Sequence, residues 1–241
     1  MSAPEAEHPP RPGRLKLLAF AAGAVILGVS VIGNDFGGTP GPPQPPAAKA
    51  TSSSVASAAD PGAGPDAQAA PAPGGSAATP TPSPTAKTLK SSPPHRLRIP
   101  RIRVDAPVIG LGLDAAGVLE VPPATNSNLV GWYKDGAAPG SRGASIMVGH
   151  VDTKSGPAVF WNLGILRQGD LITVDRADGK TATFAVDSVE VFEKKAFPDD
   201  RVYGDTPDAQ LRLITCGGVY DKQSKDYTSN VVAFAHFVSS T

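Results

Sequence analysis

The sequence predicts an all-β domain of about eight strands over residues 95–241, and three observations carry that prediction. Short runs alternate apolar and polar residues at the period of a pleated strand, glycine and proline punctuate their ends, and helical periodicity is sparse. So many short strands with turn residues between them indicate a closed antiparallel barrel or a sandwich.

Taken in order, Arg96-Leu97-Arg98-Ile99-Pro100 and Ile102-Arg103-Val104-Asp105-Ala106-Pro107-Val108 alternate and are bounded by prolines. Gly117-Val118-Leu119-Glu120-Val121-Pro122 reads as a further short strand, and Ser145-Ile146-Met147-Val148-Gly149-His150 as a buried run closing on a histidine. Leu171 to Val174 and Thr181 to Val186 flank Asp178-Gly179, a pair suited to the positive φ angles of a tight hairpin. The second of these continues through Val189, Val191 and Phe192. Leu211 to Cys216 and Asn230 to Val238 complete the set. Helix is confined to a turn or two around Ala158 to Leu166 and another near Pro207 to Ala209.

The first 94 residues have a different character. Residues 1–16 are polar and carry Arg11, Arg14 and Lys16, followed by a charge-free anchor segment over 17–34 whose apolar run, Leu17 to Gly33, has only Ser30 as a polar side chain. At ~1.5 Å per residue the run spans roughly 26 Å, close to a hydrocarbon core once a snorkelling Lys16 is included. Positive charge before it and Asp35 after it predict a cytoplasmic tail, a single transmembrane anchor and an extracellular remainder. A cleaved signal peptide is the competing reading; no clear small-x-small site ends the run, which favours an uncleaved anchor. Residues 35–94 are Pro, Ala, Ser, Thr and Gly with almost no large apolar side chain, the composition of a disordered linker. As a coil, the 58 residues from Gly37 to Pro94 have a root-mean-square reach of ~40 Å.

Net charge is zero, with no basic block and few aromatics, which argues against a nucleic-acid partner. No cofactor is implied, because phosphate-cradling glycine motifs are absent. No metal is implied either, for there is no His-Glu-x-x-His, no paired cysteine and no calcium-loop spacing. Chemistry therefore centres on the single cysteine. Cys216 ends an apolar strand just before Gly217-Gly218, and is either buried filler, an intermolecular crosslinker or a nucleophile. Alternation puts Arg212, Ile214 and Cys216 on one side of that strand. A free thiol is only a few per cent thiolate at neutral pH, so a nucleophile needs a base or a cation beside it. Of the four histidines, His8 lies in the tail and His95 at the linker junction, while His150 and His236 each end or follow an apolar strand. His150, after Gly149 and before the turn-like Val151-Asp152-Thr153, is the preferred partner.

These residues resemble a known family. An apolar strand ending Val148-Gly149-His150, a later Leu213-Ile214-Thr215-Cys216, a closing Val231-Val232-Ala233-Phe234-Ala235 and an N-terminal anchor together resemble a sortase. Ile102 to Ile109, Val130-Gly131-Trp132-Tyr133, Gly140 and Phe160-Trp161-Asn162-Leu163 extend the similarity over about 97–238. Cys216-Gly217-Gly218 and the Gly/Pro/Ala-rich linker are most similar to the class F sortases of actinobacteria. The resemblance implies a closed eight-stranded β-barrel on the outer face of a Gram-positive membrane. It implies a transpeptidase in which Cys216 attacks a Leu-Pro-x-Thr-Gly-like sorting signal on a surface protein, holds the Thr as a thioester, and passes it to a peptidoglycan precursor amine. His150 would serve as acid and base.

One departure from the family matters. Sortases carry an arginine on the strand after the cysteine, and this chain has none after Cys216. Asn230 or the upstream Arg212 is the expected oxyanion or substrate support, and the other cations near in sequence are Lys222 and Lys225. Asp152 is either a plain turn residue or a group that orients His150. An exported thiol hydrolase and a wall-binding barrel without chemistry are the alternatives to a transpeptidase.

Overall fold

The computed structural model describes residues 41–45 and 88–241. The expected tail, the membrane span over 17–34 and most of the linker lie outside the described residues, among which no helix is long and apolar enough to cross a membrane.

Eight strands close into a barrel: β1 (Pro94–Ile99), β2 (Val104–Leu111), β3 (Val130–Tyr133), β4 (Gly143–Gly149), β7 (Leu171–Arg176), β8 (Thr181–Glu193), β9 (Ala209–Asp221) and β10 (Asp226–Ser240). Their order around the wall is β1-β2-β3-β4-β9-β10-β8-β7, closed by β7 against β1. A separate two-stranded ribbon, β5 (Asp152–Thr153) with β6 (Gly156–Pro157), follows β4. The wall is mixed: β2 runs parallel to β3, and β4 parallel to β9, so the antiparallel expectation holds for the other six pairings only.

Two elements differ from the sequence reading. The run from Gly117 to Pro122 makes a single bridge, Leu113 with Leu119, after a turn in which Gly117 takes φ +78°. Its place in the barrel is taken by β3, four residues without alternation and almost wholly buried. The helical turns also shift. A 3-10 turn occupies Leu163–Ile165, but Ala209 opens β9, and the one α-helix among the described residues, α1, spans Asp199–Tyr203.

Strand alternation divides the apolar residues into two layers. Inward-facing Leu97, Ile99, Met147, Phe184, Leu211, Leu213 and Ala233 fill the barrel together with Phe160 and Leu163. Outward-facing Ile146, Val148, Ile214, Val232 and Phe234 form a second cluster capped by Val202 of α1 and by Leu119. The second cluster covers the outer wall of β4, β9 and β10 and stops where Cys216 begins.

Two stretches of the expected linker pack on the barrel. Leu89 donates its N–H to the Gly140 carbonyl at 2.7 Å and lies against the core. Beside it the buried Arg176 guanidinium donates to the carbonyls of Lys90 and Pro139 and pairs with Asp178. Farther upstream, Pro42 is buried and Gln44 Oε1 accepts the N–H of Gly218 at 3.2 Å.

Candidate active site

Because β4 and β9 are parallel, the C-terminal end of β4 emerges beside β9, which does not end at Cys216 as the sequence suggested but runs on through Gly217-Gly218 to Asp221, still paired with β10. Met147 pairs with Leu213 and Val148 with Ile214, and the same register carried two residues further sets His150 beside Cys216. Both side chains line one narrow cleft on the outer wall, with Pro122, Val148, Ile214 and Asn230. Thr215 points the other way, and its hydroxyl donates to the Gly149 carbonyl at 2.8 Å, tying the end of β4 to β9. Gly149 is required by close packing: a Cβ there would come within 2.7 Å of both Phe160 and Val159.

The histidine is held by the segment that the sequence reading made a strand. Its Nε2–H donates to the Pro122 carbonyl at 2.6 Å. A carbonyl can only accept, so the proton belongs to Nε2, and Nδ1, without a partner among the described residues, is the nitrogen that can exchange one.

The sulfur is half-buried. Burial pushes the Cys216 thiol up from its ordinary value; Lys194 pulls it the other way, and Asp226 and Asp152 add to the upward push. Lys194, at the turn after β8, places Nζ 3.8 Å from Sγ and 2.6 Å from Asp226 Oδ2, with its side chain only 10% exposed. The sequence reading did not single out Lys194. Lys222 and Lys225 lie instead in the β9–β10 turn.

The remaining candidates are placed as follows. Asn230 is the direct cross-strand partner of Cys216, is 2% exposed, and its Oδ1 has no hydrogen-bond partner among the described residues. Arg212 shares the outward side with Cys216 but is committed elsewhere: its guanidinium lies 4.7 Å from the Phe234 ring centroid and donates to Gln210 and the Leu211 carbonyl. Asp152 accepts the Tyr227 hydroxyl at 2.6 Å, so its hydrogen bond goes to β10 and not to His150. His236 bonds Asp187 at 2.6 Å, and His95 is exposed on β1. A larger hollow of about 260 Å³ opens near Asn128 and Trp161 and contains neither the sulfur nor His150.

A family model described as the sortase domain matches residues 97–238. The chain belongs to the sortase family. Sortases are cysteine transpeptidases, and this one has the closed eight-stranded barrel of the family. Similar solved structures include sortase A of Listeria monocytogenes, at 16% identity and TM-score 0.47, covering 62% of this sortase and 90% of that chain. Sortase A of Corynebacterium diphtheriae is 22% identical with TM-score 0.47, covering 62% of each chain. Sortase C-1 of Actinomyces oris is 23% identical with TM-score 0.46, covering 60% of this sortase and 73% of that chain. No curated protein matches the chain.

Proposed function

We propose that this sortase is a membrane-anchored enzyme of the class F type, held by residues 17–34 with its barrel outside a Gram-positive cell. It cleaves a Leu-Pro-x-Thr-Gly-like signal between Thr and Gly and transfers the protein to a peptidoglycan precursor amine. The observation that supports this reading is the shared cleft of Cys216 and His150, reached from two parallel strands.

The steps use the groups in place. His150 Nδ1 takes the Cys216 proton, and the thiolate attacks the threonyl carbonyl carbon, forming a C–S bond. As the C–N bond breaks, the imidazolium returns that proton to the departing glycine amine. An incoming amine then attacks the thioester, its proton passes to His150, the new C–N bond forms and the thiolate leaves. The Asn230 side chain supports the substrate or the oxyanion that develops at the carbonyl. Every bond broken is matched by one formed at similar energy, so no nucleotide is consumed.

The test is to incubate the full-length chain in detergent micelles with a sorting-signal peptide and an amine, and to examine Cys216 by mass spectrometry. The expected result is an acyl adduct on the wild type, none on Cys216→Ala, and an amine-capped product. A product released only to water identifies a hydrolase. Absence of any adduct across signals and acceptors identifies a wall-binding barrel.

A further inference from the structure

We propose that Lys194 is a catalytic residue of this sortase, the cation that holds the Cys216 thiolate, with Asp226 fixing its ammonium in place. The inference rests on Cys216 being the nucleophile, as proposed above.

The family arginine is absent from every position after Cys216, and the one arginine on the cysteine's own strand is stacked on Phe234. Nothing on β9 or β10 therefore supplies a positive charge to the sulfur at close range. The charge arrives from a different strand. β8 lies on the far side of β10 from β9, and the chain turns at Lys194, immediately beyond Glu193, which pairs with Ser229. From that turn the lysine reaches over β10 until Nζ is 3.8 Å from Sγ.

Three features make this more than a surface ion pair. The lysine side chain is nine-tenths covered, so water screens its charge weakly. Its carboxylate partner, at 2.6 Å, holds the ammonium in direction. The third group in reach is the reacting atom itself. The charged and titratable groups that face the sulfur are Lys194, Asp226, Asp152, Tyr227 and His150, contributed by the β8 turn, β10, β5 and the end of β4. Lys194 is the only permanent cation in this set. Without it, a thiolate forming in the cleft would meet two carboxylates and no positive charge except a protonated His150.

Cys216 is the only cysteine of the chain, so alkylation reads this sulfur alone and needs no sorting peptide. The experiment measures the pH profile of iodoacetamide alkylation on the full-length protein in detergent, for wild type, Lys194→Met, Lys194→Arg and Asp226→Asn. Lys194→Met should move the midpoint up by about one pH unit or more, lowering reactivity at pH 7.5 about tenfold. Lys194→Arg should restore most of the wild-type profile. Asp226→Asn removes a negative charge but leaves the cation, and should move the midpoint down. A purely structural pair predicts that both variants loosen the fold alike and leave the profile where it was, and that outcome overturns the proposal. If Lys194→Met does not fold, Lys194→Gln takes its place, and a midpoint unmoved from wild type in that variant overturns the proposal. A wild type whose alkylation profile moves with Lys194 but that never acylates with peptide overturns the proposed function and leaves only the electrostatic coupling of Lys194 to the sulfur.

Discussion

At the scale of single residues, the cleft sets a basic thiol beside a histidine whose outer nitrogen is already engaged. Burial raises the Cys216 thiol, so the protonated form is favoured in the folded protein. The sign for stability follows. This contribution is fully present below the unfolded cysteine's pKa and is lost as pH rises through the folded value. Reactivity runs the opposite way, increasing with pH through the neutral range. Wild-type alkylation should therefore show a midpoint above that of free cysteine, and a midpoint below it would contradict the geometry. His150→Gln keeps a polar side chain near Pro122 but removes the proton-accepting Nδ1, and should lower peptide turnover by about 10²–10⁴-fold. Lys194 was invisible in the sequence for a definite reason. Glu193-Lys194-Lys195 has the composition of a solvated turn, and Lys194 is 22 residues from Cys216, so only the pairing of β8 with β10 brings it in. Cys216 and His150 were legible because each closes an apolar run of sequence, a purely local signal, although β9 itself continues past Cys216 to Asp221.

At the scale of elements, the site depends on how β4 and β9 are clamped. The Thr215 hydroxyl and the missing Cβ at Gly149 are both needed for the end of β4 to lie beside β9 and against Phe160. Gly149→Ala should destabilise the barrel by about 1–3 kcal/mol through overpacking, read as a lower Tm. It should also reduce turnover at temperatures where the protein is still folded, because His150 is the next residue. Unchanged activity would mean that the Phe160 and Val159 side chains yield freely. The elements that the sequence misassigned explain themselves in the same terms. Val130-Gly131-Trp132-Tyr133 does not alternate because it is buried on both sides, with a parallel neighbour in β2 and an antiparallel one in β4. Gly117 to Pro122 alternates well, yet one turn and a proline leave it able to make only a bridge. Its use is different: it carries the Pro122 carbonyl to the histidine.

At the scale of the whole molecule, the described chain touches the barrel in two places before the first strand. Arg176 gathers the entry at Lys90 from the inside, while Gln44 binds at Gly218, whose φ of +78° directs its N–H to the incoming side chain. Gln44→Ala should accelerate hydrogen exchange at the Gly218 amide, and an unchanged rate would show that the contact adds no protection. Neither contact was legible, since Pro, Gly and Gln in a run of small residues carry no strand or helix pattern. The Gln44 contact bears on how far the catalytic cleft can travel. For the proposed anchor ending at residue 34, residues 35–43 separate the lipid from the Gln44 contact on the barrel. At ~3.5 Å each these span at most about 30 Å, so the anchoring proposed above predicts a cleft held close to the headgroups, within reach of acceptors displayed there.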